Sequence, residues 1–381
     1  MKRILYIIIP ALLIISSQMN CSKIVVRDDI DSTDDVPGWE MNGSNAQRTN
    51  SYQWKLYLPL QLAWDYTAAS AVEKTIIAAD SVIFFGTKDG RIEAVNIGTG
   101  ERVGEKKMTH ASTCALAGKN LIIARRFGDE TLYHYDIRSN DFLWKVEAGD
   151  ISTEPLVLED AVVVSSLYNH VDLYELETGT RIWTFETDDQ IRSSPAYAHN
   201  MVVFGCDDHH LYAVDKANGR LKWKYKTGAP VQSIPGINSK EKVVYIGSLD
   251  NHFYALKLET GEKLWDFSAG GKIFNGIAID DGKVIFGSTD RHLYCLDEQN
   301  GDLLWKFSAG SVISTNPVIA RDVVIFGSLD GHIYIVSLDS GELLWEYRTK
   351  GRIRTCPIVW GELLVCASED NMVYVFEFKH E

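Results

Sequence analysis

Five histidines recur at one position of a repeating pattern: His170, His210, His252, His292 and His332. Each follows a turn residue (Asn169, Asp208, Asp250, Asp290 or Asp330), while Arg91, Thr131 and Met372 hold the equivalent places elsewhere. Imidazoles beside carboxylates have the chemistry of a metal site or a pH sensor. Spacing argues against the metal. If each His opens the third strand of a radial sheet, strands about 4.8 Å apart put it about 10 Å outside the innermost strand and about 13–14 Å from its counterparts in adjacent sheets. The donors to one ion must all lie about 2 Å from it, so no ion bridges two repeats. The histidine reads as a structural residue that hydrogen-bonds its own turn, with a pH-responsive surface as the alternative. His209 and His210 beside Asp207 and Asp208 have a metal-like composition locally, but no metal is assigned to them.

Other familiar chemistries are missing from the chain. It has no Ser-His-Asp, His-Glu-x-x-His or phosphate-loop motif and no two adjacent cysteines. The expectation is no catalytic residue, no cofactor and no metal. Besides Cys21 there are five cysteines: Cys114, Cys206, Cys295, Cys356 and Cys366. An odd number rules out complete pairing within the chain, and packing as small buried groups is expected. Cys356 and Cys366 fall on neighbouring strands of one hairpin, but the register sets Cys366 opposite Pro357, which disfavours a disulfide.

The elements that position these residues are announced by tryptophan. Trp144, Trp183, Trp223, Trp265, Trp305 and Trp345 are spaced 39, 40, 42, 40 and 40 residues apart, and steps of 40 back from Trp144 give Gly104 and then Trp64. A fixed period of this length marks an array of one supersecondary unit. Residues 314–347 show the unit: short β-branched and aromatic runs separated by turn residues, as in four antiparallel strands. Gly247, Gly287 and Gly327 end the second run, and Gly100, Gly179, Gly219, Gly261, Gly301 and Gly341 precede the fourth. Both sets are expected to supply the positive φ of tight turns. Four strands per repeat make a propeller blade. First strands are expected to begin near Val72, Ser112, Ser152, Arg192, Gln232, Phe274, Ser314 and Arg354, which gives eight blades. The last repeat ends at Phe378 without a fourth strand, and residues 58–66 fit as the missing one, closing the ring. The rival, an open solenoid or β-helix, would have capped ends and no shared blade. The expected fold is all-β, an eight-bladed β-propeller of four-stranded antiparallel blades. The Trp residues, Trp64 included, are expected to dock in the seams between blades, where a flat ring buries area and its N–H finds a carbonyl. Gly104 marks one seam that must be filled differently.

The pattern x-Asp-x-x-[Thr/Asn/Ser]-Gly-x-x-x-Trp, carried best by 215–223 and 297–305, resembles the tryptophan-docking repeat of the quinoprotein-like (PQQ-like) propellers. Asn96, Glu175, Lys257 and Ser337 replace its Asp in other blades. Residues 39–49, WEMNGSNAQRT, also look like the lead-in to such propellers. The resemblance covers about 39–381 and implies a fold more than a function. One branch of the family holds quinoprotein dehydrogenases, which use a vicinal disulfide, a calcium ion and a catalytic Asp in longer chains. The other holds lipoprotein propellers of the outer-membrane β-barrel assembly machinery, with eight blades and no cofactor. In length and N-terminus this chain looks like the second.

Composition agrees with one globular all-β domain: 45% of residues are hydrophobic and 11% aromatic. The net charge of −14 disfavours nucleic acid and anionic lipid as direct partners, because both need clustered positive charge. Residues 1–21 read as an export signal, with Lys2 and Arg3 before an apolar run too short to span a bilayer. Cys21 ends it where a bacterial lipoprotein is acylated, although Gln18, Met19 and Asn20 depart from the usual small-residue pattern and a plain signal cut near Ser17 is the alternative. Residues 22–50, rich in Asp, are expected to be a solvated tether, and 51–381 the propeller.

With no catalytic set, function is expected on the loops. Those entering the inner strands share one face with the turns between second and third strands. On that face Arg192, Lys272, Arg352 and Arg354 lie among Glu154, Asp188 and Asp189, and exposed loop charge on a rigid ring suits partner binding. The expected role is a lipid-anchored scaffold of the cell envelope. It would face the periplasm from the outer membrane and bind other envelope proteins, possibly a β-barrel assembly core protein. A quinoprotein-like enzyme or ligand sensor, or a surface-exposed binding protein, is the alternative.

Overall fold

The computed structural model describes residues 39–379 apart from 54 and 152. The export signal, Cys21 and the start of the tether lie outside these residues, as does the strand start expected at Ser152. The described chain is all-β: eight four-stranded antiparallel blades arranged in a ring. Blade 7 shows the plan, with strands Val318–Ala320, Val323–Gly327, His332–Ser337 and Leu343–Arg348 running from axis to rim. The second and third strands are buried along nearly their whole length because neighbouring blades cover both faces, which explains their continuous apolar runs. The outermost strands instead alternate between solvent and seam. Ring closure follows from Leu60–Thr67 pairing with Met372–Phe378, so blade 8 takes its outer strand from the N-terminal side of the ring.

Each seam is keyed by a side chain reaching into the next blade. The indole N–H of Trp64, Trp144, Trp183, Trp223, Trp265, Trp305 and Trp345 donates to the carbonyl of Ile97, Leu176, Lys216, Leu258, Glu298, Leu338 and Leu60, at 2.8–3.2 Å. Six of these rings lie under the glycine of the next blade's outer turn. At Gly341, for example, φ is +70° and a Cβ would stand 2.6 Å from the Trp305 ring. In the seam after blade 1, where Gly104 replaces Trp, Lys106 holds its ammonium 4.7 Å and 4.8 Å from the ring centres of Tyr135 and Phe142.

Two sequence expectations need correction. Gly247, Gly287 and Gly327 do not have positive φ. They are glycine for space: a Cβ would lie 2.1–2.4 Å from Ile273, Ile313 and Ile353, each buried at the entry to the next inner strand. The inner strands of blades 4, 5, 7 and 8 start four residues later than expected, at Ala196, Gly236, Val318 and Ile358. Pro195, Pro235, Pro317 and Pro357 immediately precede them, and proline has no N–H for the ladder. Blades 1 and 2, with Ile76 and Cys114 at that place, begin at Val72 and Ser112.

The last part of the supposed tether, 39–50, is not solvated. It runs round the axial side of the ring and gives carbonyls to inner strands: Trp39 to Ala78, Glu40 to Leu116, Ala46 to Tyr197, Gln47 to Ile237, Thr49 to Ile279 and Asn50 to Ile319. Ser51–Tyr52 then adds a short parallel strand to blade 7. Inner strands would otherwise leave their axial N–H groups without partners, and a buried N–H needs one. Positive φ at Gly43, Ser44, Arg48 and Asn50 lets the segment curl tightly enough to meet successive blades.

Candidate partner-binding face

The loop entering each inner strand is built on one plan. An aliphatic anchor (Ile151, Ile191, Val231, Ile273, Ile313 or Ile353) is buried in the ring. One residue later Arg192, Gln232 and Phe274 line the channel mouth, Arg354 is exposed, and Ser314 is buried with its hydroxyl donating to Ile353 O. In three loops the next residue stitches its blade to a neighbour, while Thr153, Ser233 and Thr315 bond a carbonyl of their own blade. Ser193 Oγ donates to Ser233 O at 2.6 Å, Asn275 Nδ2 to Ile313 O at 2.8 Å and Thr355 Oγ1 to Glu73 O at 3.0 Å. Every such loop also accepts a bond from its own blade's turn between second and third strands, for example Asp207 N–H to Gln190 O and Glu369 N–H to Arg352 O. The loops and turns therefore form one rigid face.

At its centre is a cavity of about 300 Å³, whose rim includes Lys74, Arg126, Arg192, Glu73, Gln232 and Phe274. Of the residues expected here from sequence, the structure brings Arg192 and Glu154 together in this cavity. Arg192 is tethered by Asp207 at 2.9 Å and Gln190 at 2.7 Å. Arg354 is exposed and paired with Glu369 at 2.9 Å. Lys272, Arg352, Asp188 and Asp189 are exposed on the surrounding loops and do not line the cavity. Glu154 is not the exposed loop charge it was expected to be. It is 6% exposed, accepts from Thr75 at 3.1 Å and from the Ser194 hydroxyl, and forms the cavity's floor. Burial raises its pKa. The charge of Lys74, the Ser194 bond and Arg48 together outweigh that and leave it below the usual glutamate value. Burial raises the pKa of Glu73 on the rim, against nearby cations.

Sequence reasoning missed Lys74, Arg126 and Arg48. The first two sit in strands and turns of blades 1 and 2, where the repeat is least regular. Arg48 comes from the axial segment and is 1% exposed. Its guanidinium donates to the carbonyls of Pro195 (3.1 Å), Pro155 (3.4 Å) and Asn42. Desolvation lowers its pKa to about 10, opposed by Glu154. The lead-in motif around Arg48 was the available signal.

The histidines stand elsewhere. In four repeats the turn Asp accepts from the backbone N–H of His210, His252, His292 or His332 at 2.9–3.0 Å. Its other oxygen takes the hydroxyl of Tyr212, Tyr254, Tyr294 or Tyr334 at 2.5–3.0 Å. The imidazoles of His210 and His332 approach that Asp at 3.3 Å, but His252 turns to Asp266 and His170 to Asp172. Asn169 occupies the positive-φ place one residue beyond the Asp position, so blade 3 lacks the Asp turn. Among the described residues no group of three or more His, Cys, Asp or Glu is arranged to hold a metal.

This all-β ring of eight blades, seven of its seams keyed by Trp, is a PQQ-like propeller. The chain belongs to the family described as "Beta-alanine-activating enzyme, beta-propeller", which it matches over residues 151–381. It is similar to the outer membrane protein assembly factor BamB of Shewanella oneidensis, 26% identical over 184 residues that make up 43% of this chain and 45% of that protein. The match thus spans less than half the length of that relative. In fold the chain is like BamB from Moraxella catarrhalis, with a TM-score of 0.72 at 19% identity over 84% of this chain and 100% of that one. It is equally like quinohemoprotein alcohol dehydrogenase from Comamonas testosteroni, with a TM-score of 0.75 at 14% identity over 91% and 81%.

Proposed function

We propose that this propeller is a non-catalytic scaffold of the cell envelope, anchored by lipid at Cys21 in the outer membrane and facing the periplasm. Its mouth face binds other proteins of outer-membrane protein assembly. The observation that carries the reading is the occupied channel. Residues 39–52 fill the axial side of the inner strands, and Arg48 and Glu154 lie buried at the centre, so what the ring offers a partner is its loop face. The similarity to BamB supports the assignment to assembly. Arg192, Lys272, Arg352 and Arg354, with Asp188 and Asp189, supply the contacts there, while Glu154 holds the floor beneath them.

The test is affinity capture from solubilised membranes. Wild-type protein is expected to recover the β-barrel assembly core protein, and the pair Arg192→Glu and Arg352→Glu to lose it without change in melting temperature. Absence of that core protein from the wild-type capture defeats the proposal. Cys21→Ser is expected to release the protein from the membrane fraction. Protease digestion of intact cells separates the periplasmic from a surface-exposed location.

The fold likeness to a quinohemoprotein dehydrogenase raises a second reading, a quinone held in the channel. The residues present do not fit it. The axial segment takes the space, and Cys114, Cys206, Cys295, Cys356 and Cys366 are each buried and free, with no vicinal pair. No thermal shift is expected on adding quinone and calcium.

A further inference from the structure

The longest step in the tryptophan spacing, 42 residues between Trp223 and Trp265, is accounted for by neither the fold nor the proposed binding face. The two extra residues lie in the turn between Gly236–Asn238 and Val243–Gly247, the first two strands of blade 5. That turn is on the face opposite the channel mouth. It forms one wall of the larger cavity of about 820 Å³ between blades 5 and 6, in the upper part of the roughly 300–1,000 Å³ range of ligand sites. Insertions in a repeat array collect on loops of one face, often a binding face.

The lining of this groove limits what can fill it. Asp280 and Glu298 are half-buried in it. Asp280 accepts from the Ser51 hydroxyl and from Gln53 at 3.5 Å. Glu298 accepts from Asn238 at 2.5 Å and from the Tyr245 hydroxyl at 3.1 Å. All of these donors are neutral. Neither carboxylate has a salt-bridge partner among the described residues, unlike Asp281, which pairs with Lys283, and Glu241, which pairs with Lys240. Hydrogen bonds from neutral groups hold the two carboxylates in place without cancelling their charge. Beside them the groove carries Val243 and Leu264, and Leu264 is 43% exposed. A polyamine would match the charge and leave the aliphatic surface wet; an oligosaccharide would match the amides and leave the charge uncompensated. A polypeptide with basic and apolar side chains satisfies both.

We infer that the groove between blades 5 and 6 is a second docking site, taking an extended, basic and apolar segment of another polypeptide. Asp280 and Glu298 receive its Lys or Arg. The tether of this chain is the wrong occupant, since residues 28–35 carry Asp28, Asp29, Asp31, Asp34 and Asp35. The site does not depend on the mouth face: it lies on the other side of the ring, and either can fail alone.

Fluorescence anisotropy tests it with two labelled hexapeptides, Gly-Arg-Leu-Arg-Leu-Gly and Gly-Glu-Leu-Glu-Leu-Gly, added to the whole propeller. The basic peptide is expected to bind saturably, and more weakly as salt approaches about 0.5 M; the acidic one is expected not to bind. Asp280→Asn with Glu298→Gln is expected to weaken binding about ten-fold or more. Arg192→Glu with Arg352→Glu is expected to leave it unchanged. Deleting Lys240 and Glu241, which restores the common spacing, gives an independent variant should the first fail to fold, and it too is expected to lose binding. Equal binding of both peptides, full competition by spermine at matched charge, or undiminished binding to the folded variants overturns the inference.

Discussion

Replacing Arg48 by Met perturbs the centre of the ring at one atom group. The guanidinium is 1% exposed and joins the axial segment to blades 3 and 4 through the carbonyls of Pro155 and Pro195. With a pKa held near 10 by burial, it is cationic at neutral pH. Methionine keeps much of the stem and none of the donors, so buried carbonyls lose a charged partner and Glu154 loses a nearby cation. Hydrogen bonds to charged groups contribute about 1.5–3 kcal/mol each, but these share one guanidinium and do not add. Breaking a buried ionic group away from its partners costs about 3–5 kcal/mol, and that is the expected loss. At about 2–4 °C per kcal/mol for chains of 150–250 residues, the melting temperature falls by on the order of 10 °C.

Scanning calorimetry reads the shift, and limited proteolysis reads its location, since cleavage within 39–53 is expected before any within the blades. Adding Glu154→Gln recovers part of the loss, because the buried carboxylate keeps Lys74 and Ser194 but no longer has the Arg48 charge to offset its desolvation. The pH dependence has a definite sign. Glu154 is held below its ordinary value of 4.5, so its contribution is complete above that pH and is lost as pH falls through the lower, folded value. The gap between wild type and Arg48→Met therefore narrows on acidification. A drop of less than about 2 °C, with no new cleavage in the axial segment, would refute the view that Arg48 ties that segment into the ring.

Three further outcomes follow from the seams and the core. Trp305→Ala removes a buried ring and its bond to Leu338, and is expected to cost about 3–5 kcal/mol in urea unfolding; its neighbour Leu304, 47% exposed, is expected to change stability by about 0.5 kcal/mol or less when cut to Ala. Gly341→Ala meets both a positive φ and the Trp305 ring and is expected to cost at least about 1–3 kcal/mol, whereas Gly282→Ala has positive φ with open space and suffers only the backbone strain; equal losses at the two sites contradict the ring contact. Burial pushes the thiols of Cys114, Cys206, Cys295 and Cys356 up to about 12, and Cys366 higher still, so a thiol reagent at pH 8 is expected to label none of these five in the native protein and all five after unfolding.

How far the sequence could be read depended on whether a residue answers to its own repeat or to something outside it. The blade count, the shared eighth blade and the seam Trp are all properties of the repeat, and each repetition reinforced the others. Gly341 and Gly247 look alike in that pattern yet are glycine for different reasons. One has a positive φ beneath an indole and the other leaves room for the Ile273 side chain at the entry to the next blade; spacing within one blade carries no trace of a neighbour's side chain. Proline held a signal that went unused. Pro195, Pro235, Pro317 and Pro357 recur at one position and forbid ladder bonds there, which would have placed the strand starts and shown that the residues before them belong to the mouth. The axial segment has no repeat at all. Its carbonyls serve inner-strand N–H groups on most of the blades in turn, a demand created only when the ring closes, so residues 39–50 look like the end of an acidic tether until the fold supplies their partners. Glu154 follows from the same logic. A carboxylate in a loop sequence looks solvated, and only the convergence of Lys74 and Thr75, Ser194, and Arg48 from three separate places on the chain makes it a buried one.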